Sequence, residues 1–214
     1  EADSLFAFLK NVKNADLSAS FKDSASYSAA FSHIKNNNCQ KAIPAFKDYL
    51  EKYPKGHLTV NAHYYLAECA YKEGLTDQAL VHYKAVMEKG ANQFMESTLE
   101  SLSGISYNRG DCKAARDYYH QLLDIATKEQ NRLKAHIGLM RCGFKGENYR
   151  STISSANKVL DLTYASDEQK TEAQYYIAKS HYQLNELEKA LPLLKTVHEK
   201  NSGENGAEAK YLEV

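Results

Sequence analysis

A short pattern recurs five times along the chain and indicates its structural unit. Each copy has a turn residue, then a few polar residues, then a small residue that is followed in most copies by a hydrophobic residue. The small residues are spaced by 37, 36, 37 and 38 positions: Ala42, Ala79, Ala115, Thr152 and Ala190. The matching turn residues are Asn37, Gly74, Gly110, Gly146 and Asn185. Self-similarity at such a period is typical of stacked supersecondary units, each of which buries its apolar face against its neighbours.

Each unit carries two amphipathic helical segments on either side of its turn. In the second unit the second segment places Ala79, Leu80, Tyr83 and Val86 on one helical face. Gly74 precedes this segment and can adopt the positive φ that ends a helix. No alternating strand pattern competes, and 3 Pro and 10 Gly in 214 residues are few chain breakers. The sequence therefore predicts an all-α chain of helical hairpins.

The hairpins resemble tetratricopeptide repeats. The first helix of that family ends in a large, a small and an aromatic residue, and its second helix carries a small residue with an aromatic four positions later. These positions are matched by Leu66, Ala67, Ala70 and Tyr71, by Ile177, Ala178 and Tyr182, and by the pairs Ala42–Phe46, Ala79–Tyr83 and Ala115–Tyr119. The resemblance implies a right-handed α-α superhelix, a solenoid of about five helical hairpins with an N-terminal helix and a partial sixth repeat.

The resemblance also implies a division of the chain. We expect an N-terminal helix and loop that cover the first repeat in residues 1–23, five repeats in 24–202 and the start of a sixth in 203–214. The polar, Ser-rich stretch 14–26 is predicted to be a loop that leads into a helix starting at Tyr27. Because residue 1 is Glu and the chain stops inside a predicted helix, we expect either a mature, processed protein or, in preference, a piece of a longer chain.

A narrower likeness concerns localisation. The sequence of residues 61–66, Asn-Ala-His-Tyr-Tyr-Leu, resembles that of bacterial envelope repeat proteins of the Tol–Pal coordinator and outer-membrane assembly lipoprotein type. This likeness implies a bacterial protein that is periplasmic or associated with the outer membrane, while a cytoplasmic location stays open.

Composition and motifs argue against several classes of function. Lys plus Arg and Asp plus Glu are 27 each, so the chain has no bulk positive charge for nucleic acid. It has no run of 18 apolar residues that could span a membrane. It also lacks the common nucleophile, metal-protease and phosphate-loop motifs, and its 8 His are scattered. We therefore expect a protein that is not an enzyme and needs no cofactor or metal.

The four cysteines follow the repeat. Cys39 and Cys69 are 30 residues apart, as are Cys112 and Cys142, and each pair is predicted to lie at one height on adjacent helices. In an oxidising compartment the pairs would form disulfides. The alternative is that all four are small buried residues, which is common for free cysteines.

The resemblance implies that partners bind to the first helices, which line the concave groove of such solenoids. In this register the groove positions are Tyr27, Phe31, Tyr64, Glu68, Tyr71, Lys72, Tyr107, Asn108, Arg141, Phe144, Lys145, Tyr175, Lys179 and Tyr182. They form a tyrosine ladder with a basic cluster at Arg141, Lys145 and Lys179, which favours an acidic or carboxylate-ended peptide. The alternative is that many of these rings pack between repeats.

Three functions are compatible with these observations. The first is a non-enzymatic scaffold that binds a peptide or protein in the groove, with a role in bacterial envelope assembly. The second is a module that binds carbohydrate or a small ligand on the tyrosine rings. The third is a structural spacer within a longer repeat protein.

Overall fold

The computed structural model describes residues 19–200 and 203–213, and the regular secondary structure in these ranges is entirely α-helical. In chain order these helices are α1 (Ala19–Lys35), α2 (Cys39–Lys52), α3 (Thr59–Lys72), α4 (Thr76–Glu88), α5 (Met95–Asn108), α6 (Cys112–Ile125), α7 (Glu129–Lys145), α8 (Tyr149–Asp161), α9 (Asp167–Gln183), α10 (Leu187–Lys200) and α11 (Glu204–Glu213). Consecutive helices pair as hairpins, as the sequence predicts.

The chain divides into two compact units. Unit 1 extends to Thr98 and unit 2 begins at Leu99, so the boundary falls inside α5. In unit 1, α1 packs on α2, α2 on α3 and α3 on α4. In unit 2 the same succession runs from α6 to α11, and α7 also contacts α9. The contacts therefore join helices that are neighbours in sequence, as in a repeat array.

A left-handed residue separates the two helices of every hairpin. Positive φ angles occur at Asn37 (52°), Gly74 (77°), Gly110 (78°), Glu147 (56°) and Asn185 (58°). Each lies five positions before the small residue of its repeat, so the chain reverses at one place in every unit.

The fourth turn corrects the sequence prediction. Gly146 has a negative φ of −93° and caps α7, whereas its neighbour Glu147 takes the left-handed position. The repeat length decides the position, because the turn must lie five residues before Thr152 for the second helix to start in register. A side chain that disfavours positive φ therefore occupies this turn.

Asx side chains start the second helix in three hairpins. The side chains of Asn38, Asp111 and Asn148 accept hydrogen bonds from the backbone N–H groups three residues later, at 3.0, 3.0 and 3.3 Å. These caps satisfy N–H groups that have no partner within the helix. Turn and cap together define where each second helix begins.

The five small repeat residues lie fully inside the protein. Ala42, Ala79, Ala115, Thr152 and Ala190 all have an exposed fraction of 0%. Four positions later, Phe46, Tyr83, Ala156 and Leu194 are also 0% exposed and Tyr119 is 7% exposed. A small side chain lets the helices of a hairpin approach closely, and the larger residue one turn later fills the space beyond it.

The start of the first repeat differs from the prediction. The stretch up to Ser26, predicted to be a loop, is helical from Ala19 onward. Asp23 lies inside this helix and is buried, and its carboxylate accepts hydrogen bonds from the Tyr49 hydroxyl and the His57 N–H. These contacts with α2 and the loop after it stabilise a helix that its Ser content disfavours locally. The N-terminal helix predicted before residue 14 lies outside the described residues.

Candidate functional site

The predicted groove residues of α1 contribute mainly to an aromatic core in unit 1. Tyr27 is only 9% exposed, and its ring centroid lies 5.8 Å from those of Phe31 and Phe46. Phe31 in turn packs edge-on against Tyr65 at 4.9 Å. Burial raises the pKa of Tyr27 to about 12. These two positions hold adjacent repeats together and offer little surface to a ligand.

The groove residues of α3 surround a cavity of about 500 Å³ in unit 1. Its lining includes Ile34, Asn37, Tyr64, Glu68, Tyr71 and Lys72. Tyr71 is 43% exposed, while Tyr64 stacks on Phe94 with centroids 4.3 Å apart. The carboxylate of Glu68 accepts a hydrogen bond of 2.5 Å from the buried Tyr83 hydroxyl. The cavity thus combines an exposed ring with groups that packing already holds in place.

Unit 2 contains a longer groove that consists of two adjoining cavities. One of about 280 Å³ lies among α5, α6 and α7, and one of about 580 Å³ lies at the ends of α5 and α7. Tyr107 and Arg141 line both cavities, so the two adjoin each other. The larger cavity is further lined by Asn108, Phe144 and Lys145. The structure therefore brings five of the predicted groove residues together in one depression, which we call the unit 2 groove.

Ion pairs neutralise most of the predicted basic cluster. The Arg141 guanidinium makes two hydrogen bonds to the Glu172 carboxylate, at 2.6 and 2.8 Å, and these bonds raise the pKa of Arg141. The Lys179 ammonium lies 2.6 Å from the Glu208 carboxylate. Lys145 is exposed, and no carboxylate pairs with it among the described residues. Of the three residues in the predicted basic cluster, Arg141 and Lys179 are therefore neutralised, because α9 and α11 supply carboxylates.

Lys179 also belongs to an aromatic group. Its ammonium lies 5.0 Å from the Phe144 ring centroid and 5.3 Å from that of Tyr175, and it donates a hydrogen bond to the Tyr175 hydroxyl. Tyr175 is 4% exposed, and burial followed by its hydrogen bond to Glu208 raises its pKa. Tyr182 is half-buried against the core of α10. Lys179 and Tyr175 are thus held within the packed structure.

Two histidines form an unpredicted pair in unit 1. Nδ1 of His63 on α3 lies 3.0 Å from Nδ1 of His82 on α4. Burial, the other imidazole and Lys47 lower the pKa of His82 to about 4. Burial and Lys89 likewise lower the pKa of His63. Both rings are therefore neutral near pH 7, when one Nδ1–H donates to the other nitrogen.

The cysteine pairs differ in state. Cys39 and Cys69 form a disulfide whose Cα atoms are 5.0 Å apart. Cys112 and Cys142 are free thiols on adjacent helices. Burial, followed by the interaction with Cys112, raises the pKa of Cys142 to about 12. Both pairs lie adjacent on packed helices, the arrangement that the repeat spacing predicts.

The described residues show neither a cluster of metal ligands nor a membrane-spanning helix. Within residues 19–200 and 203–213, no group of three or more His, Cys, Asp or Glu side chains could hold a metal ion. No helix in the same ranges is long and apolar enough to cross a membrane.

Comparison with known families identifies the repeats. Family models of the tetratricopeptide repeat match residues 27–93 and 172–203. These two segments are therefore similar to tetratricopeptide repeats. No curated protein sequence matches the chain significantly.

Solved structures agree with this TPR fold. YrrB, described as a TPR protein with an unusual peptide-binding site, matches with a TM-score of 0.69 and 15% identity over 99% of this chain and 100% of that one. A tetratricopeptide repeat protein from Parabacteroides merdae matches with a TM-score of 0.65 and 13% identity over 89% of this chain and 73% of that one. At such identities the likeness concerns the fold alone. The narrower likeness to envelope proteins is not supported by these matches.

Several ion pairs of the candidate site were not predicted from the sequence. The carboxylates of Glu172 and Glu208 reach back to residues 31 and 29 positions earlier, Arg141 and Lys179. Glu100 pairs in the same way with Lys134, 34 positions later. These separations are about one to two helical turns shorter than the repeat period. Opposite charges at this separation are the signal that would have indicated them.

Proposed function

We propose that this protein is a non-catalytic scaffold that binds an extended peptide segment of a protein partner, carrying a single carboxylate, in the unit 2 groove. The observation that supports this proposal best is the pair of adjoining cavities that share Tyr107 and Arg141. The groove offers aromatic walls beside an exposed ammonium at Lys145. Concave sites with apolar walls and few polar groups are the usual places where ligands bind.

The charges of the groove favour a peptide with few acidic groups. The Arg141 guanidinium already makes two hydrogen bonds to the carboxylate of Glu172. A ligand carboxylate at Arg141 would therefore have to displace this partly buried partner. Lys145 carries its charge at the rim of the larger cavity, where a carboxylate can approach without this cost. We therefore expect an apolar side chain between Tyr107 and Phe144, with one Asp, Glu or terminal carboxylate nearby.

The structural likeness to YrrB supports a peptide as ligand. That protein is described as having an unusual peptide-binding site, and its fold spans the whole of this chain. The carbohydrate alternative has less support, because stacking on sugars requires open ring faces. Tyr27 and Tyr175, two members of the predicted ladder, are buried at 9% and 4% exposure.

The experiment is a selection of displayed random peptides on the immobilised chain, followed by affinity measurements on synthetic copies of the enriched sequences. We expect enriched peptides to contain an aromatic or aliphatic residue within a few positions of a carboxylate. Lys145→Glu and Phe144→Ala should each weaken binding by about tenfold or more, equivalent to ~1.4 kcal/mol. The charge reversal tests the ammonium, and the truncation tests the apolar wall.

Lys195→Glu is the matched control. Lys195 is an exposed residue of α10 that lines none of the described cavities of unit 2, so the same charge reversal there should leave binding unchanged. Circular dichroism checks that each variant is helical. Equal binding by wild type and by both groove variants would refute the proposal, as would a selection that enriches no peptide.

We propose further that the scaffold acts in the bacterial envelope. The disulfide between Cys39 and Cys69 supports this location, since disulfides persist in oxidising compartments and are rare in the cytosol. Fractionation of cells that produce the protein from its own gene tests the proposal. Recovery in the periplasmic or outer-membrane fraction is expected, and recovery in the cytoplasm with Cys39 and Cys69 reduced would contradict it.

A further inference from the structure

The free cysteines of unit 2 occupy the same places in their repeats as the bonded cysteines of unit 1. Cys39 and Cys112 are each the first residue of a second helix and follow an Asx cap, Asn38 and Asp111. Their partners Cys69 and Cys142 each lie three residues before the end of the following first helix. Both pairs are 30 residues apart. The backbone of the repeat thus places the second pair as it places the first, whose Cα separation of 5.0 Å suits a disulfide.

We propose that Cys112 and Cys142 are a thiol–disulfide exchange site that forms an intramolecular disulfide without rearrangement of the helices. The two thiols are close enough for Cys112 to affect the ionisation of Cys142, and they lie on α6 and α7, which pack against each other. The proposal is independent of the peptide that the groove binds.

Access and charge assign different roles to the two sulfurs. Cys112 is half-buried and lines the larger cavity of the unit 2 groove, so a small disulfide can reach it. Cys142 is 0% exposed and does not line that cavity. The Lys145 ammonium lies over the turn that precedes Cys112, 3.6 Å from the place of a Cβ on Gly110. At Cys142, burial and the neighbouring Cys112 outweigh the charges of Arg116 and Lys145 and raise the pKa, so this thiol is not the one that attacks first. The thiolate is the reactive form in exchange.

Glutathione disulfide is the oxidant in this exchange. The Cys112 thiolate attacks one sulfur of the oxidant, which forms a mixed disulfide and releases one glutathione thiolate. That thiolate takes the proton of Cys142, and the Cys142 sulfur then attacks the sulfur of Cys112. The second glutathione leaves as a thiolate and takes up the proton that Cys112 lost. Two electrons and two protons pass from the protein to the oxidant, so the products are one protein disulfide and two glutathione thiols.

The test treats the folded full chain with glutathione disulfide and follows the peptides that contain Cys112 and Cys142 by mass spectrometry after alkylation and proteolysis. We expect the two peptides to become linked to each other, with loss of two hydrogens and with no glutathione retained. Gel filtration should show an unchanged molecular size. Persistent alkylation of both thiols, or linkage between separate chains, would overturn the proposal.

Two variants separate the steps. Cys142→Ser should stop at the mixed disulfide and carry one glutathione on Cys112, because the second sulfur is missing. Cys112→Ser should leave Cys142 free of glutathione, because that thiol is buried. The reverse pattern would contradict the assigned roles. If either variant unfolds, the wild-type linkage remains the decisive measurement, since it requires no substitution.

Discussion

Acidification should loosen the hairpin of α3 and α4 through the histidine pair of unit 1. The Nδ1 atoms of His63 and His82 are 3.0 Å apart, and only one of them can carry a proton if they are to share a hydrogen bond. A second proton removes the acceptor and places two cations in contact. Lys47 and Lys89 add further positive charge, and Glu88 opposes it at His63. The folded state therefore binds protons at this pair less readily than the unfolded chain.

The size of the effect follows from proton linkage. The pKa of His82 is lowered from 6.5 to about 4, so its stabilising contribution is complete above pH 6.5 and is lost as the pH falls from there towards 4. A shift of this size alone corresponds to a loss of ~2 kcal/mol between about pH 7.5 and about pH 5. Because solvent reaches the partly exposed ring and screens the shift, we reduce this figure to about 1 kcal/mol. His63 shifts in the same direction and adds to the loss.

Hydrogen exchange measures the effect locally. The opening free energy of the slowest amides in α3 and α4 should fall by about 1 kcal/mol or more between these two pH values in the wild type. In the double variant His63→Gln/His82→Gln the fall should largely disappear, since two amides can share a hydrogen bond and do not titrate. His136, whose pKa is also lowered, remains in both proteins and serves as an internal reference in α7. Equal losses in the wild type and the double variant would refute the reasoning.

Two further predictions concern the backbone. A Cβ at Gly138 would lie 2.1 Å from the Tyr119 ring, so Gly138→Ala should lower the free energy of unfolding by about 1–3 kcal/mol, measured in urea. Gly104→Ala is the control, because its Cβ would meet open space inside α5, and it should raise that free energy by up to ~1 kcal/mol. Glu147→Gly should also raise it, by about 0.5–1 kcal/mol, because Glu147 has a φ of 56°. Similar effects of the two alanine variants, or destabilisation by Glu147→Gly, would contradict these arguments.

The repeat itself was predictable from the sequence because it depends on local chemistry. A left-handed turn residue, an Asx cap and a small residue five positions after the turn recur along the chain, and each acts over one helical turn. Ala42 and Ala79 are fully buried for this reason, and the helices begin where their turns predict. Even the exception is informative: at Glu147 the register of the repeat outweighed the preference of a neighbouring glycine for the turn.

The charges and the close contacts were decided by the tertiary structure. The pairing of Arg141 with Glu172, and the fit of Tyr119 against Gly138, depend on how far one helix is shifted along the next. This shift results from the packing of whole side-chain surfaces and has no local signal in the sequence. The sequence alone therefore indicated a chain of helical hairpins. Only the folded chain decided that Arg141 and Lys179 are neutralised while the Lys145 ammonium is exposed at the groove, because the neutralising carboxylates come from helices far along the sequence.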